Sequence, residues 1–283
     1  LGDVYKRQLI SYQEETELSV KDPEMVERVF RYVMADHPEI FYADGYEVTT
    51  YRLGTEIRRI TFTGTWTLES DEVLSRRAQL EAAAALWLEG LPDGTDDFEK
   101  VKYIYDELIL RTEYEQGSAD SQTICSVLLN QRSVCQGYAK TFQYLCQLAG
   151  IPAMLVTGDV NGEGHAWNIV FLDGDWYYID PTWGDASYQR EEGEETPALT
   201  ETVNYDYFCV TTQEIERTHS MDDNQLLPVC NAVQDQYYRH EGLYLQSADK
   251  EKIDEIFARA AQKGAPMVCF QCADAVSYTH LTL

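Results

Sequence analysis

A thiol, an imidazole and a carboxylate follow one another along this chain, each in a different structural setting. Cys135 lies in Ser133-Val134-Cys135-Gln136-Gly137-Tyr138-Ala139-Lys140, His165 in Gly164-His165-Ala166-Trp167-Asn168, and Asp180 in Tyr178-Ile179-Asp180-Pro181-Thr182-Trp183. These three types together perform acyl transfer: a sulfur attacks a carbonyl carbon, a ring nitrogen carries the proton, and a carboxylate orients the ring. Taken singly, each has an ordinary alternative. Free cysteine is among the most buried residue types. A histidine at a strand start is usually ordinary, and an aspartate at a strand end is usually a turn former. Their occurrence together, in this order, favours one site.

The elements that must position them are legible. Ser133 and Gln136 have capping-box spacing, which predicts a helix with Val134 first and Cys135 second. Tyr138, Phe142, Leu145, Cys146 and Ala149 recur at helical spacing, and Gly150 and Pro152 stop the run. Cys135 then sits in the first turn, where free N–H groups and the positive end of the dipole favour an anion. Gly137 is expected to leave room for an approaching substrate, beside Gln136.

Residues 153–157 and 166–172 read as strands joined at Asn161-Gly162, a strong hairpin turn. Asp173-Gly174 is a second such turn, leading to a strand over 176–179. His165, Trp167, Ile169 and Phe171 share one face of the middle strand. If Asp173-Gly174 is a two-residue turn, counting back along the strands pairs Trp167 with Asp180. Asp180 then faces the same side as His165, one diagonal step of roughly 7–8 Å away. A three-residue loop would turn it to the opposite side.

At these residues the sequence resembles the transglutaminase-like superfamily, relatives of papain-type thiol enzymes. Val134-Cys135-Gln136-Gly137-Tyr138-Ala139, Gly150-Ile151-Pro152, Gly164-His165-Ala166-Trp167-Asn168 and Asp180-Pro181-Thr182-Trp183-Gly184-Asp185 carry the likeness. It is specific over about 97–185 and looser outside. The resemblance implies Cys135 as nucleophile, His165 as acid/base and Asp180 as its orienting partner. Gln136 stands where the calcium-dependent animal cross-linking enzymes carry Trp, so the match is closer to the bacterial branch. Peptidase, amidase and cross-linking activities are all open there, and an extracellular or cell-envelope setting goes with it.

The two ends look foreign to the fold. Asp3-Val4-Tyr5-Lys6-Arg7-Gln8 can be encoded GAT GTG TAT AAG AGA CAG. The reverse complement of that DNA, read in a shifted frame, gives Val-Ser-Tyr-Thr-His and the start of a Leu codon, and the chain carries that peptide from Val276 to Leu281. Residues 1–8 and 276–283 are therefore expected to be adapter-derived tails on a fragment, so the absence of a leader is uninformative. Their removal takes the net charge from −27 to −28, since Asp3 leaves with Lys6 and Arg7. Such acidity excludes a nucleic-acid binder, whose phosphates demand basic patches. No apolar run approaches the roughly 18 residues of a membrane span. Seven cysteines lack zinc spacing, and the Cys269/Cys272 pair has no second pair beside it.

The expected fold is α+β, with a papain/transglutaminase-like core: a nucleophile-bearing helix packed on an antiparallel sheet. Residues 9–92 form a small α+β N-terminal module. There Asp22-Pro23 starts a helix, two alternating strands meet at Leu53-Gly54-Thr55, and Ser70 caps a long helix. Residues 93–211 form the catalytic core, opened by a helix capped at Asp96 or Asp97 and closed by a strand over 205–211. Residues 212–275 form a truncated C-terminal extension, with His219 an ordinary loop histidine and 248–262 an amphipathic helix. The Glu-rich stretch 189–200 is a solvated loop.

The chemistry expected is a thioester on Cys135, formed from a peptide or carboxamide and resolved by water or an amine. The Cys135 N–H would serve as one oxyanion donor. Trp167 and Trp183 flank the site and would shape a substrate channel. No metal or organic cofactor is implied, and the partner is a protein or peptide substrate. Hydrolysis is favoured, because an amine acceptor needs a second tunnel. A cross-linker, or a scaffold retaining the fold without turnover, is the alternative.

Overall fold

The computed structural model describes residues 2–12, 15–91, 94–118, 120–185, 203–265, 267–273 and 281–282. The stretch 189–200 and most of the 276–283 tail lie outside them. Residues 2–8, set aside above, form most of α1 (Gly2–Ser11), whose Tyr5 stacks on Phe62 with ring centres 4.5 Å apart. After β1 (Thr16–Glu17) comes α2 (Pro23–Asp36), capped by Asp22 as expected, with Pro23 at its first position. β2 (Ala43–Leu53) and β3 (Glu56–Trp66) form the hairpin read from the sequence, and β1 adds to the far edge of β3. α1 and α2 bury Tyr5, Leu9, Val26 and Val33 with Ile60 and Phe62 of this sheet.

α3 (Ser70–Leu88) follows, with Glu69 at its cap and Ser70 already helical, so Ser70 is not the cap the sequence proposed. Its Leu80, Ala84 and Trp87 pack into the second core alongside α4 (Asp97–Arg111). Asp96 caps α4, its Oδ1 accepting from Glu99 N at 2.9 Å. β4 (Glu113–Tyr114), α5 (Ile124–Asn130) and β5 (Arg132–Ser133) lead into α6 (Cys135–Leu148). Tyr138, Phe142, Leu145 and Cys146 of α6 are buried, the helical stripe foreseen. Truncating a buried ring such as Phe142 to Ala typically costs about 3–5 kcal/mol, so this stripe anchors the helix that carries Cys135.

The sheet that faces α6 has the order β8-β7-β6-β9, all antiparallel. β6 (Ala153–Val160) and β7 (Glu163–Leu172) turn at Asn161 (φ 55°) and Gly162 (φ 86°). β7 and β8 (Asp175–Ile179) turn at Asp173 (φ 49°) and Gly174 (φ 96°). Positive φ at both central residues is the mirror-image turn that suits strand twist, favoured by Asn-Gly and Asp-Gly. Both loops are two residues long, and Asn168 pairs with Ile179, the register the sequence required. Asp180 lies one step past the ladder and caps the single turn α7 (Pro181–Gly184).

Beyond it the expectation of a strand over 205–211 fails. Cys209 takes a left-handed φ of 55°, which breaks an extended run, and only Val210 bridges to Tyr178. α8 (Thr212–Ile215) then leads to β9 (His219–Met221), which pairs with β6 as the sheet's fourth strand. α9 (Tyr237–His240), β10 (Tyr244–Leu245) and α10 (Lys250–Gln262) follow. α6 packs on one face of the sheet, where Asn168 Nδ2 donates to Ala139 O at 2.9 Å and Ala139 meets Leu155 and Ala166. The other face buries Val156, Trp167, Ile169 and Tyr178 beneath Val210, Ile215 and Cys230.

Candidate active site

The nucleophile candidate opens its helix. Cys135 is the first residue of α6, one position earlier than the capping-box reading gave, because Val134 is the cap residue and contributes no side-chain bond. Ser133 does not cap the helix, since its hydroxyl is engaged elsewhere. Its Oγ donates to Ser121 O at 2.9 Å and lies 2.7 Å from Ser126 Oγ. In the first turn of a helix the N–H groups have no acceptor behind them, so those of Cys135 and Gln136 are free of intrahelical bonds. Cys135 is half-buried.

Gly137 has a different duty from the one expected. A Cβ there would lie 1.9 Å from Ser133 Oγ and 2.8 Å from Ser121 O. The space beside it is filled by the loop that precedes the helix, not held open for substrate.

His165 is buried on β7, and its Nε2 lies 2.8 Å from Asp180 Oδ2. The Cys135 thiol is near enough to this ring to add to the shift of its pKa. Since Nε2 is taken by the carboxylate, Nδ1 is the nitrogen left for sulfur. Burial by itself would lower the imidazolium's pKa. The Asp180 charge and hydrogen bond, with the Cys135 thiol nearby, outweigh it and raise the ring from 6.5 to about 10.

Asp180 is fully buried and fully used. Its Oδ1 accepts from Thr182 N at 2.9 Å and Trp183 N at 3.1 Å, as the cap of α7. Its Oδ2 accepts from two imidazoles, His165 at 2.8 Å and His219 at 3.0 Å. Its backbone is held as well: Asp180 N donates to Tyr207 O at 3.0 Å, and the Tyr105 hydroxyl donates to Asp180 O at 3.3 Å. Burial would push this carboxyl up. Attraction to His165 and the bonds from both rings reverse that and hold it at about 2.

His219 is the residue that reading the sequence passed over. It is on β9, buried, with Thr218 Oγ1 2.7 Å from its Nδ1. One signal for it existed. Gly158 is a glycine inside β6, and glycine within a strand often marks close approach of another backbone. A Cβ on Gly158 would lie 2.0 Å from Ser220 O of β9.

His165, Asp180 and His219 offer ligand atoms within 4.8 Å of one another, a donor set that zinc accepts by type. Both Nε2 atoms, however, are directed at the same carboxylate oxygen rather than at a shared vacant point. The pattern is that of a hydrogen-bonded cluster.

The two tryptophans divide. Trp167 is fully buried, so it does not line a channel. It stacks under His165 at 5.8 Å and meets His219 edge-on at 4.8 Å, forming the floor of the imidazole pair. Trp183 is half-exposed and packs edge-on against Tyr207 at 4.8 Å and near His219 at 5.2 Å. Gln136 is half-buried and lines a cavity of about 310 Å³ between α2, α6, β6 and the segment after β9.

Residues 88–181, the stretch holding Cys135, His165 and Asp180, match the model of the Transglutaminase-like superfamily, and this stretch mixes α and β structure. Human Kyphoscoliosis peptidase is 34% identical over 111 residues, which cover 33% of this chain and 17% of that protein. The chain thus matches about a sixth of that relative's length. Among solved structures, the crystal structure of a TGase aligns at 17% identity and a TM-score of 0.34, covering 48% of this chain and 45% of the other. The periplasmic domain of TgpA from Pseudomonas aeruginosa aligns at 18% identity and 0.29, covering 50% and 63%. No helix among the described residues is long and apolar enough to cross a membrane.

Proposed function

We propose that the domain is a thiol acyl-transfer enzyme, hydrolytic toward peptide or carboxamide bonds, with Cys135 as nucleophile. The observation that carries this reading is the buried His165–Asp180 contact at 2.8 Å, with Cys135 opening α6 near enough for its thiol to shift the pKa of the ring. His165 takes the thiol proton, and sulfur attacks the carbonyl to give a tetrahedral adduct. The first-turn N–H groups of Cys135 and Gln136 are the donors best placed for its oxyanion. His165 then protonates the leaving amine as the thioester forms. Water, deprotonated by the same ring, releases the acid and restores the thiol. Asp180 holds the ring in the orientation that presents Nδ1 to sulfur, and His219 holds Asp180. The human relative that matches over this stretch is named a peptidase, which supports hydrolysis over cross-linking.

Two measurements test it. Alkylation of Cys135 by iodoacetamide should slow by about 10-fold or more in His165→Ala, an effect of the size general-base loss gives. New amino termini should appear when protein substrates are incubated with the enzyme, and should vanish with Cys135→Ala. Incorporation of a labelled primary amine into a glutamine-bearing protein, without new termini, would establish a cross-linker instead. Slow alkylation at every pH, unaffected by His165→Ala, would make the domain a scaffold.

A further inference from the structure

Lys140 sits one turn beyond Gln136 on the same side of α6, and both line the cavity of about 310 Å³. That volume is at the small end of ligand pockets, enough for one side chain and its backbone. Among the described residues Lys140 has no hydrogen-bond or ion-pair partner, and it is half-buried. Burial pulls its ammonium down to about 8, so the amine is held charged at a cost that an arriving anion would relieve. Arg28 and Arg31 stand on the α2 wall of the same cavity. Two acids also line it, but neither answers Lys140. Asp222 Oδ2 accepts from Thr157 Oγ1 at 2.6 Å, and among the described residues no hydrogen bond or ion pair joins Asp36 to Lys140. In a chain of net charge −27, this is a concave surface where cations outnumber acids. Phe30, Met34, Met154 and Leu155 add apolar wall that suits methylene groups, beside the polar Thr157, Asn224 and Gln225.

We infer that this cavity is a specificity subsite that takes a glutamate-like side chain of a peptide substrate, the carboxylate meeting Lys140 and the methylenes lying on the apolar walls. The inference rests on the reading of Cys135 as nucleophile, because Gln136 is what joins the cavity to the reacting residue. The ligand is a carboxylate on a short flexible stem, not a bare inorganic anion, since most of the lining is hydrocarbon. A charge-assisted hydrogen bond in a partly dry pocket separates a carboxylate from its amide by on the order of 10-fold in affinity.

The test uses the full chain carrying Cys135→Ala, so that nothing is turned over. Fluorescein-labelled oligoalanine peptides with Glu or Gln at each position in turn are titrated by fluorescence polarisation. At one position Glu should bind on the order of 10-fold tighter than Gln, and the preference should shrink as salt rises. Adding Lys140→Met should abolish that preference, while Lys140→Arg should keep most of it. Equal binding of Glu and Gln peptides at every position would overturn the inference, as would a preference that survives Lys140→Met. Where Lys140→Met fails to fold, the salt dependence on otherwise unaltered protein decides. Binding is read without turnover, so the two readings fail separately. Absent hydrolysis with an intact Glu preference removes the role of Cys135 and leaves the subsite. Hydrolysis indifferent to Glu or Gln does the reverse.

Discussion

His219 Nε2 lies 3.0 Å from Asp180 Oδ2, the same oxygen that holds His165 Nε2 at 2.8 Å. One carboxylate oxygen is therefore shared by the ring proposed to serve Cys135 and by a second ring. Two rings on one acceptor fix Asp180 laterally in a way the backbone bonds to Oδ1 cannot.

If His219 acts only by holding Asp180, its removal should loosen His165 without touching substrate. His219→Ala should lower kcat by about 10–100-fold, the scale of a sub-ångström to 1 Å misplacement, and leave KM near its original value. His219→Gln, whose amide can donate to the same oxygen, should recover part of the loss. A KM that rises while kcat stays constant would instead make His219 a substrate contact.

Gly158 gives an independent route to the same residue. The Cβ of Gly158→Ala would lie 2.0 Å from Ser220 O and 2.8 Å from the Trp167 ring, and backbone cannot swing aside as a flexible side chain can. β9 must shift, carrying His219 with it. The substitution should cost about 1–3 kcal/mol, as overpacking does, and reproduce the kcat loss of His219→Ala. Urea denaturation and steady-state kinetics read the two effects separately. An activity loss without destabilisation would disprove the steric route.

The coupled pair should shape stability across pH. Asp180 is lowered from 3.8 to about 2, so its contribution is present above 3.8 and lost as pH falls through about 2. His165 is raised from 6.5 to about 10, so its contribution is complete below 6.5 and lost as pH rises through about 10. Urea midpoints measured from pH 2 to 10 should form a plateau between these limits. His165→Ala should remove the alkaline limb and weaken the acid one, since His165 is the chief cause that lowers Asp180, and Asp180→Asn should flatten both. Histidine NMR should show the His165 ring still protonated well above pH 6.5; a midpoint at the ordinary value would refute the ion pair.

What the sequence made legible was local. Asn161-Gly162 and Asp173-Gly174 favour two-residue turns, and the length of the second decides which face Asp180 takes, because a one-residue change in loop length flips every later side chain. Asp22-Pro23 announced one cap and Asp96-Asp97 another, between which the structure chooses Asp96, because a short acid before a helix satisfies its own first turn. The errors came where a long-range partner outbid the local one. Ser133 has cap spacing, but Ser121 and Ser126 claim its hydroxyl. Residues 205–211 carry strand-forming types, yet Cys209 adopts a left-handed φ of 55°. β9 is three residues long and owes its existence to residues 158–160, so no periodicity could reveal it, and His219 went with it.

The seat of Cys135 offers a last prediction. Gly137, in the first turn of α6, faces Ser133 Oγ, Ser121 O and Ser126 Oγ, at 1.9, 2.8 and 2.9 Å from where a Cβ would stand. The hydroxyl pair and the glycine are thus one packing unit that locks the loop against the start of the helix. Gly137→Ala should destabilise by about 1–3 kcal/mol and slow Cys135 alkylation, because the loop can yield only by moving the first turn. Ser133→Ala alone should cost about 0.5–1.5 kcal/mol, because Ser126 Oγ keeps its bond to Thr123 O and Ser121 O keeps the one from Val134 N. The double variant should be less destabilised than the two single costs added together, since the second change removes the nearest atom the first one meets. Recovery should be partial, because Ser121 O is backbone and stays. A double-mutant cycle by urea denaturation measures this coupling. Strict additivity would mean that Gly137 and Ser133 do not form a unit and that Cys135 is held by the helix alone.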